Sequence, residues 1–280
     1  MPNFWPKALL PPPRGEAMQT HEAPTADERA AAIGDNIARL QNRMAEIATE
    51  AGRDPQSVKL HGATKGVEPE RVIAAIRHGL THFGENWVQE AAPKIGAANA
   101  LADDQGIAPP TWHMIGHLQR NKTRQALQVF QAIDTVDSLR LAETISQRAE
   151  QMDVGTVDAL IEIDFTDNPD RGGFKLGLAT DDGSLGQFME DARRIIELPN
   201  LNVIGLMTVG PMAEDAEASR PGFRRLREIR DALNDSVASA SLTELSMGMT
   251  NDFHVAIQEG ATVVRLGTAI FGPRPAGRTY

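Results

Sequence analysis

Residues Val58–Ile76, VKLHGATKGVEPERVIAAI, hold one complete strand-turn-helix unit. Val58–Lys65 is a short run with strand character, and Pro69 sits where a helix tolerates a residue without an N–H. Val72, Ile73 and Ile76 then fall on one helical face. Upstream, Thr25-Ala26-Asp27-Glu28 has the form of a capping box. Ile33, Ile37, Leu40, Met44, Ile47 and Ala51 follow it at alternating steps of four and three, which predicts an N-terminal helix ended at Gly52. Downstream the unit recurs. Strand-like runs at Thr81–Phe83, Thr111–Ile115, Ala132–Val136, Ala159–Phe165, Val203–Val209, Thr243–Ser246 and Val263–Phe271 bring the total to about eight. Between them lie helical patterns around Asn86–Ala98, Gln119–Phe130, Leu139–Met152, Leu185–Leu198, Pro221–Val237 and Asp252–Glu259. In Pro221–Val237, for example, Phe223, Leu226, Ile229, Leu233 and Val237 share one side.

Strict alternation demands parallel strands joined by right-handed crossovers, and about eight units over about 255 residues have the size of a closed barrel. An open doubly wound sheet is the competing architecture. Neither a G-x-G-x-x-G after the first strand nor a P-loop lysine motif is present to support it. The expected fold is therefore α/β, a single (β/α)8 TIM barrel preceded by an N-terminal helix.

The 280 residues carry 28 Lys and Arg against 38 Asp and Glu, and the net charge of −10 opposes non-specific attraction to nucleic acid or to an anionic membrane surface. No run reaches the roughly 18 apolar residues that span a bilayer. No cysteine is present to form a disulfide, a thiolate metal site or a nucleophile, so a reducing cytoplasm is the expected compartment. Residues 1–24, with Leu9, Leu10 and Pro11-Pro12-Pro13, are too proline-broken for a signal-peptide core and are expected to be a disordered tail. A mis-assigned start upstream of Met18 or an added extension would each account for them. Residues 25–280 are expected to form one domain, ending soon after the eighth strand with no length for a second.

In a barrel the chemistry sits on loops at the C-terminal ends of the strands. The first strand ends in Thr64-Lys65-Gly66. A lysine there is most often a solvated terminator; the alternative is an amine held in the barrel mouth, where loss of water lowers its pKa enough for attack on an aldehyde. His61 shares the parity of Lys65 and reads as a hydrogen-bonded packing residue. His113 and His117 are spaced i, i+4, but across a strand and its loop and without an H-E-x-x-H context, so no metal is expected. The stretch Asp164–Lys175, with Asp164, Asp167 and Asp170, lacks the spacing of a calcium loop and is interrupted by Pro169; it reads as a structured polar loop. Ser246, Gly248, Gly267 and Thr268 fit an anion cradle after the last two strands, and fit equally a pair of tight turns that need small residues. Arg265 lies in an apolar strand and requires a partner, for which a ligand acceptor is a natural candidate.

Together these stretches resemble a known family, the pyridoxal phosphate homeostasis proteins, which are alanine-racemase-like single barrels. The resemblance rests on Ala63-Thr64-Lys65, Phe83-Gly84-Glu85-Asn86-Trp87-Val88-Gln89-Glu90 and the run from Trp112 to Lys122. It extends to Gly205-Leu206-Met207-Thr208, to Leu245-Ser246-Met247-Gly248-Met249 and to the run from Arg265 to Gly272. It implies pyridoxal 5′-phosphate (PLP) held as a Schiff base on Lys65, with the phosphate at Ser246, Gly248 and the Gly267-Thr268 turn. It further implies Arg265 beside the pyridine nitrogen and Asn86 near the ring. Gly66-Val67 and Gly62 depart from the family pattern and predict a looser loop beside Lys65. The implied function is a carrier or buffer in intracellular PLP homeostasis without substantial catalysis, with apo PLP-dependent enzymes as recipients. The alternatives are a PLP-dependent amino-acid racemase and, more remotely, a sugar-phosphate barrel enzyme using Lys65 as nucleophile. The single tyrosine, Tyr280, stands apart from the candidate site and weighs against the racemase, which draws its second base from a tyrosine.

Overall fold

The structure is a computed structural model, described here for residues 25–166, 168–178 and 183–273. The proline-rich segment 1–24, Asp167 of the acidic loop and Tyr280 lie outside the described residues. Among the described residues there are nine parallel strands: β1 Lys59–Ala63, β2 His82–Glu85, β3 Thr111–Met114, β4 Ala132–Val136, β5 Val157–Asp164, β6 Phe174–Lys175, β7 Leu201–Met207, β8 Glu244–Ser246 and β9 Val263–Leu266. They run side by side as β4-β3-β2-β1-β9-β8-β7-β5, and a β4–β5 pairing closes the ring into an eight-stranded barrel. The two-residue β6 is an addition. It lies along the end of β5, with Ile163 opposite Phe174, inside what the sequence presents as a polar loop.

The first helix, α1 Ala26–Glu50, begins with the expected capping box. The Thr25 hydroxyl accepts from Glu28 N–H at 3.2 Å, and the Glu28 carboxylate accepts from Thr25 N–H at 2.7 Å. The helix buries Ile33, Ile37, Met44 and Ile47 against the outside of the barrel. The crossover helices are α2 Pro69–Arg77, α3 Val88–Asp104, α4 Thr123–Leu127, α5 Leu139–Met152, α6 Ser184–Ile196, α7 Arg220–Ser236 and α8 Phe253–Gln258. In α7, Phe223, Leu226, Ile229 and Leu233 are buried as the pattern predicts, each worth about 1.5–3 kcal/mol of apolar burial.

One boundary differs from expectation. The Val263–Phe271 run is a strand only to Leu266, and Thr268–Phe271 forms a short helix, α9. The ladder with β1 ends at the pair Gly62–Leu266, because Gly267 turns the chain against the end of β1. A Cβ on Gly267 would lie 3.1 Å from Ala63 O. Asn36 of α1 then donates to Ile270 O at 2.9 Å and fixes α9 from outside.

Candidate functional site

Side chains alternate along β1, so Leu60 and Gly62 face the helices while His61 faces the barrel interior. A Cβ on Gly62 would lie 2.9 Å from Leu80 and 3.0 Å from Phe83. The neighbours already fill the space that a larger residue would take, so the strand is not loosened there. The turn that follows is closed too. Gly66 takes a left-handed φ of 72°, and the buried Val67 donates its N–H to Thr64 O at 2.9 Å. The expectation of a looser loop is thereby corrected.

The residue before Lys65 is clamped from three directions. Thr64 N–H donates to Gly84 O at 3.0 Å, and its hydroxyl donates to Glu85 Oε1 at 2.6 Å. Lys94 of α3 donates to the same Glu85 oxygen and to Thr64 O, both at 2.7 Å. Glu85 is 1% exposed, so this is a buried, hydrogen-bonded ion pair whose geometry sets where the Lys65 turn leaves the barrel. Sequence reasoning missed both positioning residues. Glu85 sat in the quoted FGENWVQE run without a role, and nothing in the sequence pairs it with Lys94.

Asn86 directly follows β2 and is half-buried. The loop after β3 presses on it so closely that a Cβ at Gly116 would be 2.3 Å from Asn86 O. Ser246 ends β8 fully buried, and its hydroxyl and carbonyl oxygens both accept from Arg265. Arg265 Nη2 donates to Thr208 O at 2.9 Å, so the guanidinium is tied to β7 and β8 by the protein's own acceptors. These supply partners that the sequence reading looked for in a ligand. Burial lowers the Arg265 pKa, an effect opposed by Asp134, Glu162 and Asp252. Gly248 has a φ of 98°, and a Cβ there would be 2.7 Å from Ala256 Cβ. The tight-turn reading of Gly248 and Gly267 is thus supported by packing. It leaves the backbone of both turns close to the end of the barrel.

Across the mouth, Glu162 of β5 meets Asp137 and His117. A Cβ on Gly172 would lie 3.3 Å from Glu162 Oε2 and His117 Nδ1, and 3.7 Å from Asp137 Oδ2. Burial, helped by Asp137 and Asp164 against the pull of Arg265 and Lys175, raises Glu162 to a pKa of about 7. The polar loop is structured as expected: Lys175 bridges Asp164 at 2.5 Å, Arg171 O at 2.8 Å and Asn168 O at 2.9 Å. The i, i+4 histidines part company. His117 pairs with Asp137 at 3.0 Å in the mouth, while His113 points into the barrel to Asp134. His61 is buried, yet neither ring nitrogen has a hydrogen-bond partner, so its reading as a hydrogen-bonded packing residue is corrected.

The candidate residues converge. Asn86, Lys65, Gly267 with Thr268, and Ser246 with Gly248 follow or end β2, β1, β9 and β8, which are consecutive staves of the closed ring, all at its C-terminal end. A lysine, an arginine and two glycine turns thus stand at one end of a closed parallel barrel. Residues 29–275 match the family described as alanine racemase, N-terminal domain. Within that class the chain belongs to the pyridoxal phosphate homeostasis protein family. It is 38% identical over 240 residues to the pyridoxal phosphate homeostasis protein of Aquifex aeolicus, covering 86% of this chain and 97% of the relative. It superposes on PipY of Synechococcus elongatus, solved with PLP bound, with a TM-score of 0.71 at 30% identity, covering 86% and 100% of the two chains. Alanine racemase of Clostridium difficile shares the fold alone, with a TM-score of 0.60 at 16% identity; the match covers 86% of this chain and 58% of that one.

Proposed function

We propose that residues 25–280 bind PLP at the C-terminal end of the barrel and act as a carrier and buffer in intracellular PLP homeostasis, without substantial catalysis. The observation that carries this reading is the placement of Lys65, Asn86, Ser246, Gly248, Arg265, Gly267 and Thr268 on four consecutive staves at one end. When bound, PLP supplies an aldehyde that condenses with a primary amine and a phosphate dianion that seeks hydrogen-bond donors. Lys65, in the turn that directly follows β1 at that end, is the amine proposed to meet the aldehyde. Ser246 suits the phosphate because its oxygen accepts from Arg265 while its own proton remains to be donated. The backbone of the Gly248 and Gly267-Thr268 turns adds donors, and charge-assisted bonds of this kind are about twice as strong as neutral ones. Arg265, fixed by Ser246 and Thr208, would be the residue toward the ring nitrogen, and Asn86 would line the ring's site.

Binding is not turnover. Racemisation needs an acid and a base on opposite faces of the substrate carbon, a pair typically worth about 10²–10⁴-fold in rate. No tyrosine stands among the described residues to supply the second base. No helix among them is long and apolar enough to cross a membrane. The recipients that fit are apo PLP-dependent enzymes in the same reducing compartment.

Borohydride reduction followed by peptide mapping tests the reading. A single label on Lys65, absent in Lys65→Ala, is the expected result; a label on Lys59 or Lys122 would overturn it. A chiral assay on holo-protein with alanine and other amino acids tests the carrier role. Exchange near the rate of free cofactor supports it, whereas turnover at about 1–10³ per second would favour a racemase, with His117 as the second base.

A further inference from the structure

Three histidines from the first three strands meet inside the barrel, His82 at the start of β2 and His61 and His113 midway along β1 and β3. The His61 and His82 rings stack with centroids 4.7 Å apart and 3° between their planes, and His113 lies 4.5 Å from His61 at 49°. One ring nitrogen from each can be chosen so that all three lie within 4.8 Å of one another. His113 Nδ1 is 3.0 Å from Asp134 Oδ1, which leaves its Nε2 directed at His82 Nδ1, also at 3.0 Å. His61 is 4% exposed, and both of its ring nitrogens are without a partner. A buried imidazole with neither its donor nor its acceptor satisfied is costly and calls for something that supplies the missing contact.

We propose that His61, His82 and His113 form a site for a divalent transition-metal cation of the zinc type, distinct in its ligands from the cofactor site, which it adjoins at the His61–Arg265 register pair. Lys65 follows His61 by four positions and lies beyond the end of β1 at Ala63. Imidazole suits zinc, copper, iron and nickel, whereas magnesium and calcium demand oxygen ligands. Two nitrogens at 2.0–2.1 Å from a tetrahedral zinc are about 3.3 Å apart. The His82–His113 separation already matches that, and His61, stacked on His82, would have to turn its ring for a nitrogen to join the same coordination sphere. The Asp134 carboxylate on His113 Nδ1 is the arrangement that orients a metal-bound imidazole through its other nitrogen. The contact between His82 Nδ1 and His113 Nε2 holds one proton between two lone pairs. A cation takes its place when His82 carries its proton on Nε2, a change of tautomer without a change of charge.

The nearby positive charges are themselves engaged: Lys59 with Glu244 at 2.6 Å, and Arg265 with Ser246 and Thr208. A groove lined by Gln41, Asn42, Lys59, Thr81 and His82 leads from solvent to the half-buried His82. Inside the barrel, away from the strand-end loops, the metal would act on stability, by joining β1, β2 and β3.

The test is calorimetric titration of zinc chloride into the full chain near neutral pH, without added cofactor, together with the visible spectrum of the cobalt complex. One site per chain of micromolar or tighter affinity, a four-coordinate cobalt band and a Tm raised by a few degrees are expected. His82→Gln should weaken binding by more than about 100-fold, and Asp134→Asn by about 10–100-fold. His117→Ala and Lys65→Ala should leave it unchanged. Stoichiometric binding that survives His82→Gln in a folded variant would overturn the proposal. So would the absence of zinc binding, or of the cobalt band, in the native chain, where the folding of a variant does not enter.

Discussion

The C-terminal end of β1 and the barrel interior beneath it treat buried polar groups differently. At the strand end, Glu85 Oε1 accepts from both Thr64 and Lys94 while Oε2 is left without a partner, and Asp164 is met by Lys175 and Thr166. Arg265, level with His61 in the β1–β9 register, finds three oxygens. His61 itself, midway along β1, is enclosed by two other imidazoles and bonds to neither. A network whose members are largely satisfied rigidifies its surroundings, and that suits the proposed attachment point for a reactive cofactor. A buried imidazole with neither nitrogen partnered is costly, and the proposed cation would supply the missing contact.

The sharpest way to break this contrast is at Lys65. Lys65→Ala should eliminate the reducible cofactor label altogether, read by mass spectrometry, while zinc binding at the histidine cluster persists. Loss of both together would mean that the two sites are not independent. The next largest effect is on stability. Lys94→Ala strands the buried Glu85 carboxylate and should cost about 3–5 kcal/mol in denaturant unfolding. Lys94→Ala combined with Glu85→Gln should recover much of that. If Lys94→Ala costs under about 1 kcal/mol, the clamp on Thr64 is not what holds the Lys65 turn. Third, Ser246→Ala should weaken PLP binding by about 1–3 kcal/mol while leaving free pyridoxal, which has no phosphate, unaffected. An equal loss for both ligands would place Ser246 away from the phosphate.

The two regions also differ in how far they can be read from the chain alone. Lys65, Asn86, Gly248, Gly267 and Thr268 stand in or beside turns directly after apolar runs, where local sequence both ends the strand and supplies the side chain. The barrel itself was legible for the same reason, since each βα unit is written in contiguous residues. Glu85 and Lys94 were not, because their pairing depends on where α3 crosses β2. The three histidines were still less so: His61, His82 and His113 belong to three strands and become neighbours only through the register that sets Gly62 opposite Phe83 and Gly84 opposite His113. The one visible spacing, His113 to His117, pointed at a pair that the strand-to-loop transition separates. The end of β9 misled in another way, since Thr268–Phe271 is apolar enough for a strand and only the Gly267 turn makes it a helix.

The smallest expected effect concerns Glu162, which lies at the mouth between the satisfied network and solvent. Its carboxyl is raised from 4.5 to about 7, chiefly by burial and then by Asp137. Between those two values the native protein holds a proton that the unfolded chain has already released, so stability falls as pH rises across this window. The contribution is fully present below about 4.5 and lost above about 7. One proton corresponds to a slope of at most about 1.4 kcal/mol per pH unit, and the solvent reaching a partly buried side chain reduces it. Glu162→Gln, which keeps the shape and cannot ionise, should flatten that part of the stability profile and leave the acid limb below it unchanged. Charge at Glu162 also faces Arg265, so the ionised form adds to the field that orients the guanidinium. PLP affinity in the native chain and in Glu162→Gln should therefore diverge as pH rises through 7 and coincide below it. A stability profile in Glu162→Gln as steep as the native one between 4.5 and 7 would show that another group titrates there, and would return Glu162 to the ordinary set of mouth carboxylates.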